Sequence, residues 1–240
     1  MLIDPGSRVN ADRRALSSVL DAADCVLFDF DGPICHLFEK HPADVIAGTV
    51  SALLSKQKDL LPQRLEGSTD PHKILRETAL AARAKGDGLP QLLVDAEQHV
   101  SEQEMEAARV AGEPTRHVRE LIKFLVCRGK HLAVTSNNSP EAVRCYLENH
   151  ELPAFGNMIF GRDPDPALMK PHPHCVDQAL AAVGVPGSRA LLIGDSESDL
   201  RAAQASGVAF LGFDPNARKF KGVLAVTALS ELLTAFSDAT

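Results

Sequence analysis

The stretch CVLFDFDGPI, residues 25–34, sets four apolar residues directly before Asp29 and Asp31 and ends at Gly32 and Pro33. An unbroken apolar run of this kind is typical of a β-strand buried on both faces, and the Gly-Pro pair ends it. Residues two apart along a strand point to the same side, so the two carboxylates are predicted to lie side by side with Phe30 turned away. Two anions this close repel each other, so we expect a cation or a shared proton at the site.

Similar apolar runs recur later in the chain and alternate with helical patterns. They are HLAVTS (131–136), NMIF (157–160), ALLIGD (190–195) and VAFLGF (208–213). Helices are predicted before Gly129, after Ser139-Pro140 and up to Gly184. Strands that alternate with helices of this length predict right-handed βαβ units. The fold class is therefore α/β, a doubly wound, Rossmann-like parallel sheet with helices on both faces.

The stretch between Pro33 and the strand ending at Ser136 interrupts this alternation and is helical throughout. Its signals are an apolar face at Val45, Ile46, Val50, Leu53 and Leu54, an N-cap at Asp70 followed by Pro71, and the run LPQLLVDAEQHVSEQEMEAARVAG (89–112). We therefore predict a small all-helical domain at 36–112, inserted into an α/β core domain made of 1–35 and 113–240. A further helix is expected near the N-terminus, with Leu16 and Leu20 on its apolar face.

Composition excludes several functional classes. The formal net charge of −7 over 240 residues argues against a nucleic-acid backbone as partner, because phosphate binding needs clustered Lys and Arg. The cysteines are scattered and odd in number, which predicts reduced thiols in the cytoplasm rather than a disulfide framework. No stretch has the features of a secretory leader or a membrane span. A small metabolite is the expected partner, and the oligomeric state is left open.

Chemically reactive side chains follow the predicted strands. Asp29, Asp31, Ser136 and Asp195 fall at strand ends, and Lys170 lies in the loop after the third strand. Ligands of open α/β sheets bind outside the carboxyl ends of the strands, so these groups are expected to meet. A set of carboxylates with one hydroxyl and one ammonium suits Mg²⁺, which prefers oxygen ligands.

These motifs carry a resemblance to a known family. DFDGP (29–33), VTSNN (134–138), KP (170–171) and GDSESD (194–199) occur in that order, each at a predicted strand end or loop. The chain resembles the haloacid dehalogenase superfamily over residues 23–213, in the helical-cap branch that includes phosphoglycolate phosphatases and β-phosphoglucomutase relatives. The family often has Thr after DxDG where this chain has Pro33, a departure that removes no catalytic group.

The resemblance implies a Mg²⁺-dependent hydrolase that acts on phosphoric monoesters through an aspartyl-phosphate. Asp29 would be the nucleophile and Asp31 the general acid and then the base. Ser136 and Lys170 would bind the phosphoryl group and stabilise its charge, with Asn137 as a further substrate contact. The metal site would comprise Asp29, Asp31 through its backbone carbonyl, Asp195, and Asp199, which would orient Lys170 or a metal-bound water.

Other functional classes would share some of these motifs. A phosphomutase of the β-phosphoglucomutase type would share every core motif. A haloacid dehalogenase would lack the second Asp of DxD, and a receiver-like signalling domain would lack the helical insert. A binding protein without catalysis is disfavoured because every chemical group is present.

Some residues have simpler interpretations. Asn138 and Ser139 are expected to serve a turn and an N-cap, and His172 and His174 to lie in a loop that leads into a helix. The basic residues Arg218, Lys219 and Lys221 are predicted to be solvated, with lining of the substrate mouth as the alternative.

The insert is expected to act as a lid and to set specificity. Linkers at 34–37 and 112–115 would let it open and close over the strand ends. Its candidate specificity residues are Arg64, His72, Lys73 and Arg76, near the turn before the Asp70 helix. The substrate itself is not identifiable from this stretch.

Overall fold

The strand predicted from CVLFDFDGPI is β1, at the centre of a six-stranded sheet. The structure is a computed structural model that describes residues 5–86 and 88–235; residues 1–4, 87 and 236–240 of the predicted domain ranges lie outside it. The strands are β1 (Cys25–Phe28), β2 (His131–Thr135), β3 (Ile159–Phe160), β4 (Ala190–Gly194), β5 (Ala209–Phe213) and β6 (Ala225–Val226). The helices are α1 (Pro5–Ala22), α2 (Ala43–Leu54), α3 (Pro71–Ala84), α4 (Gln91–Val110), α5 (Val118–Cys127), α6 (Pro140–Asn149), α7 (His174–Val183), α8 (Glu197–Ala205) and α9 (Ser230–Thr234).

The sheet is parallel throughout, in the order β3-β2-β1-β4-β5-β6. Phe28, the last residue of β1, pairs with Val134 on β2 and with Ile193 on β4. The residues that follow these three strands therefore reach the same edge together. The predicted α/β class is confirmed; β6 and α9 are additions that the sequence did not predict.

Alternate residues of β1 face opposite sides of the sheet, and both sides are covered. Val26 and Phe28 belong to one apolar cluster, which also contains residues of α1, α5, α6 and α9. Cys25 and Leu27 belong to a second cluster, with residues of α7 and α8. A strand buried on both faces accounts for the unbroken apolar run.

The insert between β1 and β2 has its own apolar cluster, built by α2, α3 and α4. Asp70 caps α3 by accepting a hydrogen bond from the Lys73 amide at 3.0 Å, as its position before Pro71 predicts. Packing does not divide the chain cleanly at 112, because Ala107 and Ala108 of α4 lie in the first sheet cluster. Conversely, Ala167 and Met169 belong to the predicted core range, after β3, but lie in the insert's apolar cluster.

Smaller features also differ from the sequence prediction. Val45, predicted on an apolar helix face, is exposed. The linkers at 34–37 and 112–115 are bonded to each other, since the Thr115 amide donates to the Ile34 carbonyl at 2.8 Å. Within residues 5–86 and 88–235, none of the helices has the length and apolar character needed to cross a bilayer.

Candidate active site

The turn after β1 brings Asp29 and Asp31 to the sheet edge. The Asp29 amide continues the sheet by donating to the Ile193 carbonyl at 2.8 Å, while Phe30 turns into the core. Gly32 adopts a φ of +110°, and a Cβ there would meet Asp195 Cγ at 2.8 Å. Both the backbone conformation and this close approach require glycine.

The Asp29 carboxylate is bonded on one oxygen only. Its Oδ1 accepts from the Phe30 amide and from Lys170 Nζ, both at 2.8 Å. No residue in the described part of the chain donates to Oδ2, and the side chain is 11% exposed, towards the cavity. Burial and the neighbouring Asp199 carboxylate raise the pKa of Asp29 well above its usual value, although Lys170 opposes the shift.

Asp31 also follows β1 in this turn, but its carboxylate has a different hydrogen-bond partner from that of Asp29. Its Oδ1 accepts a hydrogen bond from the Leu37 amide at 2.9 Å. Burial raises the pKa of Asp31 despite that bond. A carboxyl group in this state holds its proton to a higher pH than an exposed Asp, which suits a general acid.

Lys170 is buried between the acids. Its Nζ donates to Asp29 Oδ1 at 2.8 Å, to Asp199 Oδ1 at 2.5 Å and to the Thr135 carbonyl at 2.9 Å. Burial alone would lower the pKa of Lys170, but the Asp199 and Asp29 carboxylates raise it overall, so the ammonium stays charged. Burial thus has opposite effects on the two pKa values, raising that of Asp29 and lowering that of Lys170, whereas the neighbouring Asp199 carboxylate raises both.

Asn137 holds the backbone of Lys170. Its Oδ1 accepts from the Lys170 amide at 2.8 Å, and its Nδ2 donates to the Lys170 carbonyl at 3.2 Å. The sequence analysis assigned Asn137 to the substrate. Its side-chain amide positions Lys170 and the residue also lines the cavity, so a contact with substrate stays a prediction.

The remaining acids follow β4. Carboxylate oxygens of Asp29, Asp195 and Asp199 lie within 4.8 Å of one another, a grouping that could hold a metal ion. Both Asp199 oxygens are already bonded, Oδ1 to Lys170 and Oδ2 to the amide and hydroxyl of Ser196. The side chain of Asp31 is not in this group. The metal contact predicted for Asp31 is through its backbone carbonyl, and it stays a prediction.

Ser136 is buried at the end of β2, beside the other groups. Its hydroxyl donates to Asn138 Oδ1 at 3.0 Å and accepts from the Asn138 amide at 3.0 Å. Ser139 caps α6, as predicted, by accepting from the Ala142 amide at 3.3 Å. The loop 136–139 is thus a fixed turn that presents Ser136 to the cavity.

A cavity of about 330 Å³ lies over these residues, and the insert supplies its opposite wall. His72, Lys73 and Arg76 line that wall, as predicted. Arg64 does not: it pairs with Glu77 at 2.8 Å and is 61% exposed. Arg64 lies in a short 3-10 turn before α3, outside the helix that faces the sheet.

Lys219 contacts Asp195, an interaction that the sequence did not predict. It was placed with solvated charges, yet its Nζ donates to Asp195 Oδ2 at 2.6 Å and to the Asp195 carbonyl at 2.9 Å. Asp214 holds the loop in place by accepting from the Lys219 amide at 2.6 Å. The only sequence signal was an Asp shortly before a basic stretch.

The comparisons with known proteins agree with this geometry. A sequence model described as haloacid dehalogenase-like hydrolase matches residues 23–207. Phosphoglycolate phosphatase of Pseudomonas fluorescens is 30% identical over 194 residues, covering 78% of this chain and 68% of that protein. The protein of the same name from Pseudomonas savastanoi pv. phaseolicola is 39% identical over 92 residues, 38% of this chain. That match spans 34% of the relative's length.

Solved structures show the same fold. The crystal structure of CbbY from Rhodobacter sphaeroides in complex with phosphate superimposes with a TM-score of 0.61. The alignment covers 88% of this chain and 99% of that one at 22% sequence identity.

Proposed function

Because the chain belongs to the haloacid dehalogenase-like hydrolases, we propose that it is a Mg²⁺-dependent phosphatase acting on a small-molecule phosphomonoester through an aspartyl-phosphate. The observation that carries this proposal is the free oxygen of Asp29. Asp29 lines the cavity, its Oδ1 is held by Lys170, and no described residue donates to its Oδ2. A fixed carboxylate with one free oxygen, beside a second acid, is what nucleophilic attack on phosphorus requires.

The acids at the sheet edge fit Mg²⁺. Oxygen donors alone, with more carboxylates than ammonium groups, suit a hard cation. Asp29, Asp195 and the backbone carbonyl of Asp31 would hold it, and Asp199 would act through Lys170. When bound, the ion would offset the repulsion between the Asp29 carboxylate and the phosphate.

In the first step, Asp29 Oδ2 attacks phosphorus and the bond from phosphorus to the leaving oxygen breaks. Asp31 donates its proton to that oxygen, so the product leaves as a neutral alcohol. Ser136 and the Lys170 ammonium stabilise the charge on the phosphoryl oxygens. The products of this step are the alcohol and phospho-Asp29.

In the second step, Asp31 is a carboxylate and accepts a proton from water as that water attacks phosphorus. The bond between phosphorus and Asp29 breaks, which releases inorganic phosphate and restores both aspartates. The two steps need Asp31 in opposite protonation states, and its raised pKa favours the proton-bound state with which the cycle begins.

We further propose that residues 36–112 act as a cap on the core formed by 1–35 and 113–240, and that the protein works in the cytoplasm. All the cysteines are free, which agrees with a reducing compartment. His72 and Lys73 place cationic or proton-donating groups opposite the acids, so the cap wall favours a leaving group that carries a carboxylate or a second phosphate. The phosphoglycolate phosphatase relatives support this substrate class.

The test is a panel of phosphorylated metabolites, with p-nitrophenyl phosphate included, assayed in Mg²⁺ and in EDTA. The proposal expects inorganic phosphate release that depends on Mg²⁺ and is fastest for a substrate with a second anionic group. Halide release from a 2-haloacid in EDTA, without phosphatase activity, would overturn it.

A further inference from the structure

A second cluster of buried polar groups lies beside the cavity and takes no part in the chemistry above. At its centre is Glu104 of α4, with 0% exposure. Its Oε1 lies 2.6 Å from His72 Nε2 and accepts from Arg162 Nη1 at 2.8 Å and from Asn138 Nδ2 at 3.2 Å. Its Oε2 accepts from Arg162 Nη2 at 3.0 Å and from the Ser139 amide at 2.8 Å.

Arg162, just after β3, is the counter-ion of Glu104 and also binds the loop 136–139 directly. Its Nη1 donates to the Asn137 carbonyl at 2.8 Å, and its backbone amide donates to the Asn138 carbonyl at 2.8 Å. The preceding residue fits the same contact, because a Cβ on Gly161 would meet the Asn138 carbonyl oxygen at 2.6 Å.

Burial alone would raise the pKa of Glu104, but the Arg162 guanidinium and His72 lower it well below its usual range. Glu104 is therefore an anion whose two oxygens are surrounded by hydrogen-bond donors. Glutamine could not replace it without setting its amide hydrogens against those donors. The site is specific for a carboxylate.

Through these contacts, one carboxylate from the insert reaches both walls of the cavity. On the core side it binds Asn138, whose amide group is bonded to the Ser136 hydroxyl. On the insert side it binds His72, which lines the cavity. These contacts join the phosphate-binding loop to the facing helix. A second link between them runs through the Lys170 carbonyl, which accepts from both Arg76 and Asn137.

We propose that Glu104 is a positioning residue, which holds Ser136 and His72 in register across the cavity with Arg162 as its counter-ion. The proposal rests on the phosphatase function for its catalytic consequence. The structural part of the proposal, that Glu104 fixes the loop 136–139, does not depend on that function. The competing view is that the cluster only anchors the insert to the sheet.

The experiment compares Glu104→Gln with Glu97→Gln. Glu97 is a matched control: it lies on the same helix and accepts from Arg162 Nε at 2.9 Å, but it contacts neither the loop nor His72. Each variant is assayed for p-nitrophenyl phosphate hydrolysis in saturating Mg²⁺. Backbone hydrogen exchange of a peptide covering 136–142 is measured in Mg²⁺-free protein.

We expect Glu104→Gln to lower kcat about 10- to 100-fold, because a displaced phosphate-binding loop stabilises the transition state poorly. Glu97→Gln should stay within about twofold of wild type, because the glutamine amide oxygen can still accept from Arg162 Nε and Glu104 remains as the counter-ion of Arg162. Faster exchange at 136–142 is expected in Glu104→Gln alone. Equal losses of kcat in the two variants, or unchanged exchange in Glu104→Gln, would overturn the proposal.

A second variant separates positioning from stability. Replacing the buried pair with Glu104→Met and Arg162→Met removes both charges, a change that is often neutral or stabilising. We expect this double variant to fold and still to lose kcat and loop protection. Recovery of wild-type kcat in the double variant would overturn the proposal, as would loss of folding in both Glu104 variants. A wild-type protein without phosphatase activity would refute the proposed function only, because the exchange result would still report on the loop.

Discussion

Asp29→Asn should separate catalysis from folding in this site. An asparagine can keep both hydrogen bonds of Oδ1, because its amide oxygen accepts from the Phe30 amide and from Lys170 as the carboxylate does. Its NH₂ group then takes the place of Oδ2, to which no described residue donates, so no two donors are forced together. Lys170 also keeps Asp199 as a counter-ion.

The size of each effect follows from these contacts. The pKa of Asp29 is raised by burial and by Asp199, so the fold favours a neutral group at this position. A carboxyl group with a raised pKa contributes stability that is lost as the pH rises through the folded value, and an amide escapes that loss. The free energy of unfolding in EDTA should therefore stay within about 1 kcal/mol of wild type or exceed it. Turnover should fall at least ~10³-fold, or about 4 kcal/mol in the barrier, because an amide is a poor nucleophile.

The assay pairs p-nitrophenyl phosphate hydrolysis in Mg²⁺ with urea unfolding in EDTA. Asp24→Asn is the control, because it makes the same substitution just before β1, at the opposite end of the strand, where Asp24 pairs with Arg189. It should leave turnover unchanged. Hydrolysis by Asp29→Asn above about 1% of the wild-type rate would refute Asp29 as the nucleophile. An unfolded variant would refute the hydrogen-bond reasoning.

Further predictions concern the metal site and the cap wall. EDTA should abolish hydrolysis, and Mg²⁺ should restore it better than Ca²⁺. Asp195→Ala should raise the half-saturating Mg²⁺ concentration at least about tenfold. Full activity in EDTA would contradict the proposed metal site. Lys219→Ala should lower the half-saturating Mg²⁺ concentration by up to about fivefold, because the half-exposed Lys219 ammonium competes with Mg²⁺ for Asp195 in an ion pair of about 0.2–1 kcal/mol. A higher Mg²⁺ requirement in this variant would contradict the prediction. Lys73→Ala should raise KM for the preferred metabolite and leave p-nitrophenyl phosphate hydrolysis within about threefold of wild type. Arg64→Ala, which changes a residue outside the cavity, should affect neither substrate. Equal effects of the two variants would contradict the assignment of Lys73 to the substrate.

The sheet edge was predictable because it depends on local patterns. Parallel strands bring their carboxyl ends together, so a polar residue after each apolar run locates the site without any knowledge of packing. Asp29, Ser136 and Asp195 each follow a strand that the sequence shows plainly. Lys170 was found through its motif, and its three hydrogen bonds depend on a fold that the motif only implies.

Residues whose role depends on distant parts of the chain were not predictable. Glu104 lies in the polar run SEQEMEAA (101–108) and has the pattern of a solvated helix face. Its burial depends on Arg162, which follows 58 positions later in the chain, and on the loop 136–139, which is also distant in sequence. Lys219 likewise joins the site only because Asp214 folds its loop back over β4. β6, with two residues, is too short to show an alternation.

These long-range contacts also bear on how the insert moves. The sequence predicted a lid on two linkers, yet Glu104 and Arg162 form a buried ion pair between insert and core, and Met169 packs in the insert's cluster. Arg76 of α3 also donates to the Lys170 carbonyl at 3.0 Å. Opening the insert would separate this ion pair and expose both charges and part of the insert's apolar cluster to water. An insert that moved away would also break the contacts of Glu104 with the loop 136–139, whereas the Lys170 ammonium would stay bonded to core groups. Opening and closing of the insert stays a prediction, and because these contacts would have to break and re-form, we expect the movement to be coupled to the position of the loop 136–139.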